Sequence, residues 1–210
     1  MITLKSRVHI KYEHGHFNNI LVLVKGVSAL KPKSITHQAL RNAGLRYLEK
    51  YAASTQSLRD VLTRRISKVQ YSDSPNPCTL KRWIDDIIEQ FTNAGLLNDR
   101  LFAKARAESL FNKGSSIKMI RSKLTKKGIV GVVLDEVVSD LVDEWKNPDL
   151  RAAIRFSQRK KIGPFRVRGD RDVFVKRDLA SLGRAGFSFA IAKKIVHAFD
   201  PECLNEDDGC

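Results

Sequence analysis

Two stretches of this chain carry the same apolar stripe 54 positions apart, and a stripe repeated at that distance restricts the fold more than any single motif. Leu80, Trp83, Ile84, Ile87, Ile88 and Phe91 fall at i, i+3, i+4, i+7, i+8 and i+11, one face of a helix, while Lys81, Arg82, Asp85, Asp86 and Glu89 take the other. Leu134, Val137, Val138, Leu141, Val142 and Trp145 occupy the same six offsets, with Asp135, Glu136, Asp140, Asp143 and Glu144 outward. Ala192, Ile195, Val196 and Phe199 repeat the first four before Pro201, which is expected to end that helix.

A second repeated phrase precedes each stripe: LTRRI at Leu62 to Ile66, LTKKGI at Leu124 to Ile129 and LGRAGF at Leu182 to Phe187. Leu124 to Leu134 and Leu182 to Ala192 are both ten residues apart and Leu62 to Leu80 eighteen, so the first copy holds an eight-residue insertion in the loop-like VQYSDSPNPC. Ser115 or Ser116 caps the basic helix of the middle copy, Ile117, Ile120 and Leu124 face inward, and Gly128 supplies a left-handed stop, as Gly186 does in the third copy. The first copy has Ile66 there, so its turn must differ. A leading helix is expected in each copy: from Leu40, Tyr47, Leu48 and Tyr51; from Leu101, Phe102 and Ala105 after Asn98; and from Leu150, Ala153 and Ile154 after Pro148.

The expected architecture is all-α, an elongated tandem array of three three-helix repeats covering 36–97, 98–147 and 148–200, with an N-terminal extension over 1–35 and an acidic tail over 201–210. A unit of about 50 to 60 residues has a marginal core, so stacking on a neighbour stabilises it. The apolar run Ile20 to Val24 in the extension fits a strand or a helix equally.

With 38 lysines and arginines against 23 acids the net charge is +15, concentrated in the first fifty residues and in 151–199. That excess points to a polyanionic partner. No apolar run reaches the roughly 18 residues of a membrane span, and three cysteines without a CxxC pair argue against a disulfide framework or zinc finger. The cytoplasm is the expected location.

GLLNDRLFAKA at Gly95 to Ala105 and KGSSIKMIRSKLTKKGI at Lys113 to Ile129 together resemble the core of the RecX family, bacterial regulatory proteins that act on the recombinase RecA. The likeness extends to SLRDVLTRRI at Ser57 to Ile66 and to LGRAGF, covering about 36–200. It implies tandem three-helix repeats of helix-turn-helix-like topology, no catalytic site and no cofactor. It further implies binding in the groove of the RecA filament on single-stranded DNA, restraint of ATP hydrolysis, strand exchange and SOS co-protease activity, and only weak, sequence-independent binding to free DNA. A duplex-reading helix-turn-helix transcriptional regulator is the alternative. A monomer is expected, since stacking is satisfied within one chain.

The candidate contact residues are Arg64, Arg65, Lys113, Lys118, Arg121, Lys126, Lys127, Arg159, Lys160, Lys161 and Arg184; of these Arg64, Arg65, Arg121, Lys126, Lys127 and Arg184 are expected to line one face, and in the middle copy the basic flank stands against the acids of the following helix. The loop from Lys160 to Gly169 reads as a contact segment more than a defined pocket, with Phe156 assigned to the core. His9, His14, His16 and Cys78 do not fix a metal site. Asp85 and Asp86 lie opposite a full apolar stripe and read as solvated, Trp83 and Trp145 as core anchors. Neither GxxxxGK[ST] nor GxSxG occurs.

Overall fold

Residues 35–68 and 75–204 are described by the computed structural model, which places nine α-helices and no strand among them. The first stripe forms α3 (Pro77–Asn93), where Asn76 Oδ1 accepts the Cys78 amide at 2.9 Å and the proline occupies the first turn. Leu80, Ile84, Ile87, Ile88 and Phe91 are buried on it, with Trp83 half-buried against them. Asp85 is not merely solvated, because it pairs with Arg59.

The second stripe forms α6 (Gly131–Asp143) and departs from the first at its end. Leu134, Val137, Val138 and Leu141 are buried, but Val142 is 38% exposed and Trp145 lies past the helix, its ring 5.9 Å from that of Phe111. In the third, α9 (Phe189–His197), Ala192, Ile195 and Val196 are buried while Phe199 is 85% exposed. Ala198 turns to ψ 134 and breaks the helical path before Pro201 is reached, and Leu204 enters the core instead.

The basic phrases end the second helix of each trio: α2 (Thr55–Ser67), α5 (Ile117–Thr125) and α8 (Arg171–Arg184). Gly128 and Gly186 take φ of +79° and +88° in the turns after α5 and α8. Ile66 stays inside α2, which ends at Lys68 with a right-handed cap, so the first copy has no left-handed turn there.

The leading helices are α1 (His37–Leu48), α4 (Asp99–Asn112) and α7 (Pro148–Lys160). In α4 the inward face differs from the expected one. Ala103, Ala107, Leu110 and Phe111 are buried, whereas Leu101 is 66% exposed and Ala105 exposed. The inward row begins with alanines, whose small side chains let α4 lie against α6, so it gives little periodic signal. Tyr51 falls beyond α1 and is exposed.

Helices α1, α2 and α3 pack on one another around one core cluster, and α4 to α9 share a second that runs from Ala103 to Leu204. Continuity within the second arises where α4 meets α7: a Cβ on Gly114 would lie 2.6 Å from the Phe156 amide nitrogen and 2.9 Å from the Ala152 oxygen. Phe156 packs edge-on to Phe187, in keeping with its assignment to the core. Among the described residues no helix is long and apolar enough to cross a membrane, and no three His, Cys, Asp or Glu side chains converge on a possible metal site. The run Ile20 to Val24, His9, His14, His16 and most of the acidic tail lie outside the described residues.

Two glycines with nearly the same left-handed φ separate backbone cost from packing cost. Gly95 (φ +72°) faces open space and Gly114 (φ +73°) faces α7. Gly95→Ala should therefore lower the unfolding free energy by about 1 kcal/mol, and Gly114→Ala by more than about 3 kcal/mol because the α7 backbone must also move. Urea denaturation of both variants measures the difference.

Candidate functional site

Each second helix begins with a residue whose side chain accepts from the backbone within its first turn: Ser54, Ser116 and Asp170. The Ser54 hydroxyl accepts the Ser57 amide at 3.1 Å and donates at 2.6 Å to the carbonyl of Lys127, in the turn after α5. The Ser116 hydroxyl accepts the Met119 amide at 3.3 Å and donates at 2.7 Å to the carbonyl of Ala185, in the turn after α8. Each of these accepting carbonyls immediately precedes the left-handed glycine. One hydroxyl thus joins the amide-rich start of one second helix to the carbonyl-rich end of the next, the favourable pairing of helix ends.

A carboxylate completes each joint. Asp99, in the first turn of α4, accepts the Thr55 amide at 2.7 Å, and Asp149, in the first turn of α7, accepts the Ile117 amide at 2.8 Å. The glycines fit tightly: a side chain at Gly128 would collide with Gln56, and a Cβ at Gly186 would lie 2.7 Å from Ser116 Oγ. The end of α8 therefore abuts the start of α5, and the end of α5 the start of α2. At α8 the series stops. Asp170 replaces the serine and accepts the Asp172 amide at 3.1 Å, while Arg171 reaches the carbonyls of Ala198 and Phe199.

This file of second helices brings together seven of the eleven expected contact residues. Lys126 and Lys127 form the turn at the first joint. Arg184 ends α8 at the second, where Lys118 lies against Gly186, its Cβ 3.7 Å from where a Cβ on that glycine would sit. Arg64 and Arg65 lie near the far end of α2, about 15 Å along the helix from the joint. Arg121, on α5, is held at 2.7 Å by Asp135 of α6. All seven are exposed, and apart from Arg121 none of them makes an ion pair among the described residues.

The other four lie at the ends of leading helices: Lys113 after α4, and Arg159, Lys160 and Lys161 at the end of α7. The acids of α6 are not a separate negative flank, because Glu136 pairs with Arg100 at 3.1 Å and Asp135 with Arg121. Arg155 and Arg159 of α7 lie over the rings of Phe111 and Phe156, at 5.3 and 5.9 Å from the centroids.

The segment after α7 is more structured than expected. A 3₁₀ turn (Gly163–Phe165) is braced by Asp178, only 4% exposed, which accepts the Gly163 amide at 3.2 Å and pairs through both oxygens with Arg166 at 2.6 Å. Around it Lys160, Lys161, Arg166, Val167 and Arg168 line a cavity of about 420 Å³. The brace is not legible in sequence, because Asp178 is twelve residues from Arg166 and sits among polar neighbours on α8.

Ser54→Ala and Ser116→Ala each leave a helix-end carbonyl and an amide without their partner, and each should lower stability by about 2 kcal/mol. Ser122→Ala, on the exposed face of α5, should change it by less than about 0.5 kcal/mol. Chemical denaturation reads both, and equal effects at all three positions would remove the joints from the account.

No protein-family model matches the chain. It is 37% identical over 167 residues to the regulatory protein RecX of Myxococcus xanthus, a match covering 79% of this chain and 88% of that protein. A regulatory protein RecX of Agrobacterium fabrum is 24% identical over 80% of this chain and 87% of its own length. Two crystal structures share the fold, each with a TM-score of 0.54 over 76% of this chain: a regulatory protein RecX at 17% identity, covering 70% of that chain, and RecX from Lactobacillus salivarius at 21% identity, covering 94%. Taken with the all-helical fold, the match to the Myxococcus xanthus protein shows that this chain belongs to the RecX family of regulatory proteins.

Proposed function

We propose that this protein binds the RecA filament on single-stranded DNA and restrains RecA recombinase, ATPase and co-protease activity, as a cytoplasmic monomer without catalysis of its own. The observation that carries the reading is the file of second helices, which sets Lys126 and Lys127 at one joint and Lys118 and Arg184 at the next. A recurrent basic turn suits a partner that is itself a repeated polyanionic assembly. In this reading the units 36–97, 98–147 and 148–200 each present one segment of the contact surface.

The duplex-reading alternative is disfavoured by α6. A reader of base edges needs a recognition helix entering the major groove. The third helix of the middle trio, α6, carries no lysine, arginine, asparagine or glutamine with which to donate to base edges or phosphates.

Lys126→Glu/Lys127→Glu tests the assignment, because both side chains are exposed and the Lys127 carbonyl that Ser54 uses is unchanged. The double variant should unfold like the parent and need at least about tenfold more protein to inhibit the RecA ATPase on single-stranded DNA. Undiminished inhibition by the folded variant would contradict the role of this joint, and absence of inhibition by the parent at any concentration would contradict the function.

A further inference from the structure

We propose that the cavity between the end of α7 and the start of α8 is a phosphate-binding site, filled by a phosphodiester of a single nucleic-acid strand. The proposal rests on the filament reading in taking Lys160 and Lys161 as contacts, and adds what they hold. Lys160, Lys161, Arg166 and Arg168 line the cavity, with Val167 and no carboxylate. The acid bonded to this lining, Asp178, is turned inward and committed to Arg166 and the Gly163 amide. Asp170, two residues past Arg168, is committed to capping α8. Lys160, Lys161 and Arg168 are exposed and have no carboxylate partner among the described residues. A phosphate oxygen would supply the acceptor that these charged donors lack.

The backbone at Lys161 gives independent support. Lys161 has φ 55° and ψ 53°, the left-handed conformation in which a side chain is unfavourable. The turns that follow α3, α4, α5 and α8 place a glycine in that region, at Gly95, Gly114, Gly128 and Gly186. After α7 the chain holds a lysine there, in a conformation that costs a side-chain-bearing residue free energy. The brace fixes the loop beside it: Asp178 ties Gly163 to Arg166, whose guanidinium also lies 4.1 Å from the centroid of the Phe174 ring. A cationic side chain is thus kept at a position where glycine would suit the backbone better, in the lining of a cavity walled mainly by basic residues.

That strain makes Lys161→Gly a discriminating variant, since it removes the charge while relieving the backbone. The full chain is titrated into a labelled oligothymidine without RecA, and binding is followed by fluorescence anisotropy across a salt series. Lys161→Gly should melt no lower than the parent, bind at least about fivefold more weakly, and reduce the slope of log K against log[salt] by about 1. Arg168→Gln should bind similarly weakly, and Arg82→Gln, an equal charge loss on α3, should have little effect. Inorganic phosphate at matched ionic strength should displace the strand from the parent more effectively than from Lys161→Gly. Unchanged affinity and salt slope in Lys161→Gly would overturn the proposal. So would a phosphate effect on the parent's melting with no loss of strand binding in the variant, which would assign the cavity to free phosphate. RecA ATPase inhibition by the parent, measured separately, reports on the filament reading whatever the outcome here.

Discussion

Two serine hydroxyls, Ser54 and Ser116, making the same pair of bonds in successive copies, set the arrangement on which the candidate surface depends. Each accepts an amide from its own helix and donates to a carbonyl in the turn after the next second helix, 73 and 69 residues further on. Both partners are helix-end groups that would otherwise need water or another cap. Asp99 and Asp149 then take up the adjacent amides, Thr55 and Ile117. The left-handed glycines bring the turns close enough for these bonds to form, and the same turns carry the basic residues. Repeat stacking and charge placement are consequences of one joint.

Much of the helical order is legible in the sequence because it rests on local rules. The stripe from Leu80 to Phe91, the cap at Asn76 and the stops at Gly128 and Gly186 need only periodicity and backbone preference, and the structure contains them. Sequence and structure part where tertiary packing governs. Leu101 reads as core, but α4 turns its alanines toward α6. Phe199 continues a numerical pattern past the point at which Ala198 breaks the helix. Ser116 is legible as a cap, yet nothing near it in sequence marks its second bond, to Ala185.

For the candidate site, the residue types are legible and their grouping is not. Seven of the named basic residues follow the second helices, whereas Lys113, Arg159, Lys160 and Lys161 end leading helices. The sharp division into a positive and a negative flank is also too simple: Asp135 and Glu136 are drawn back onto Arg121 and Arg100. Such exposed pairs contribute little to stability, but they reduce the negative field of α6 and occupy Arg121. Lys126, Lys127 and Arg184, at the joints themselves, remain directed to the surface with their charge uncompensated by an ion pair in the described residues.

The central claim is that the joints between second helices meet the nucleoprotein filament. Hydrogen exchange of the protein, alone and with RecA assembled on single-stranded DNA, tests it most directly. The account predicts that bound filament slows exchange at the turns 126–128 and 184–186 more than along α6. Protection concentrated on α6, with those two turns exchanging as in the free protein, would contradict it.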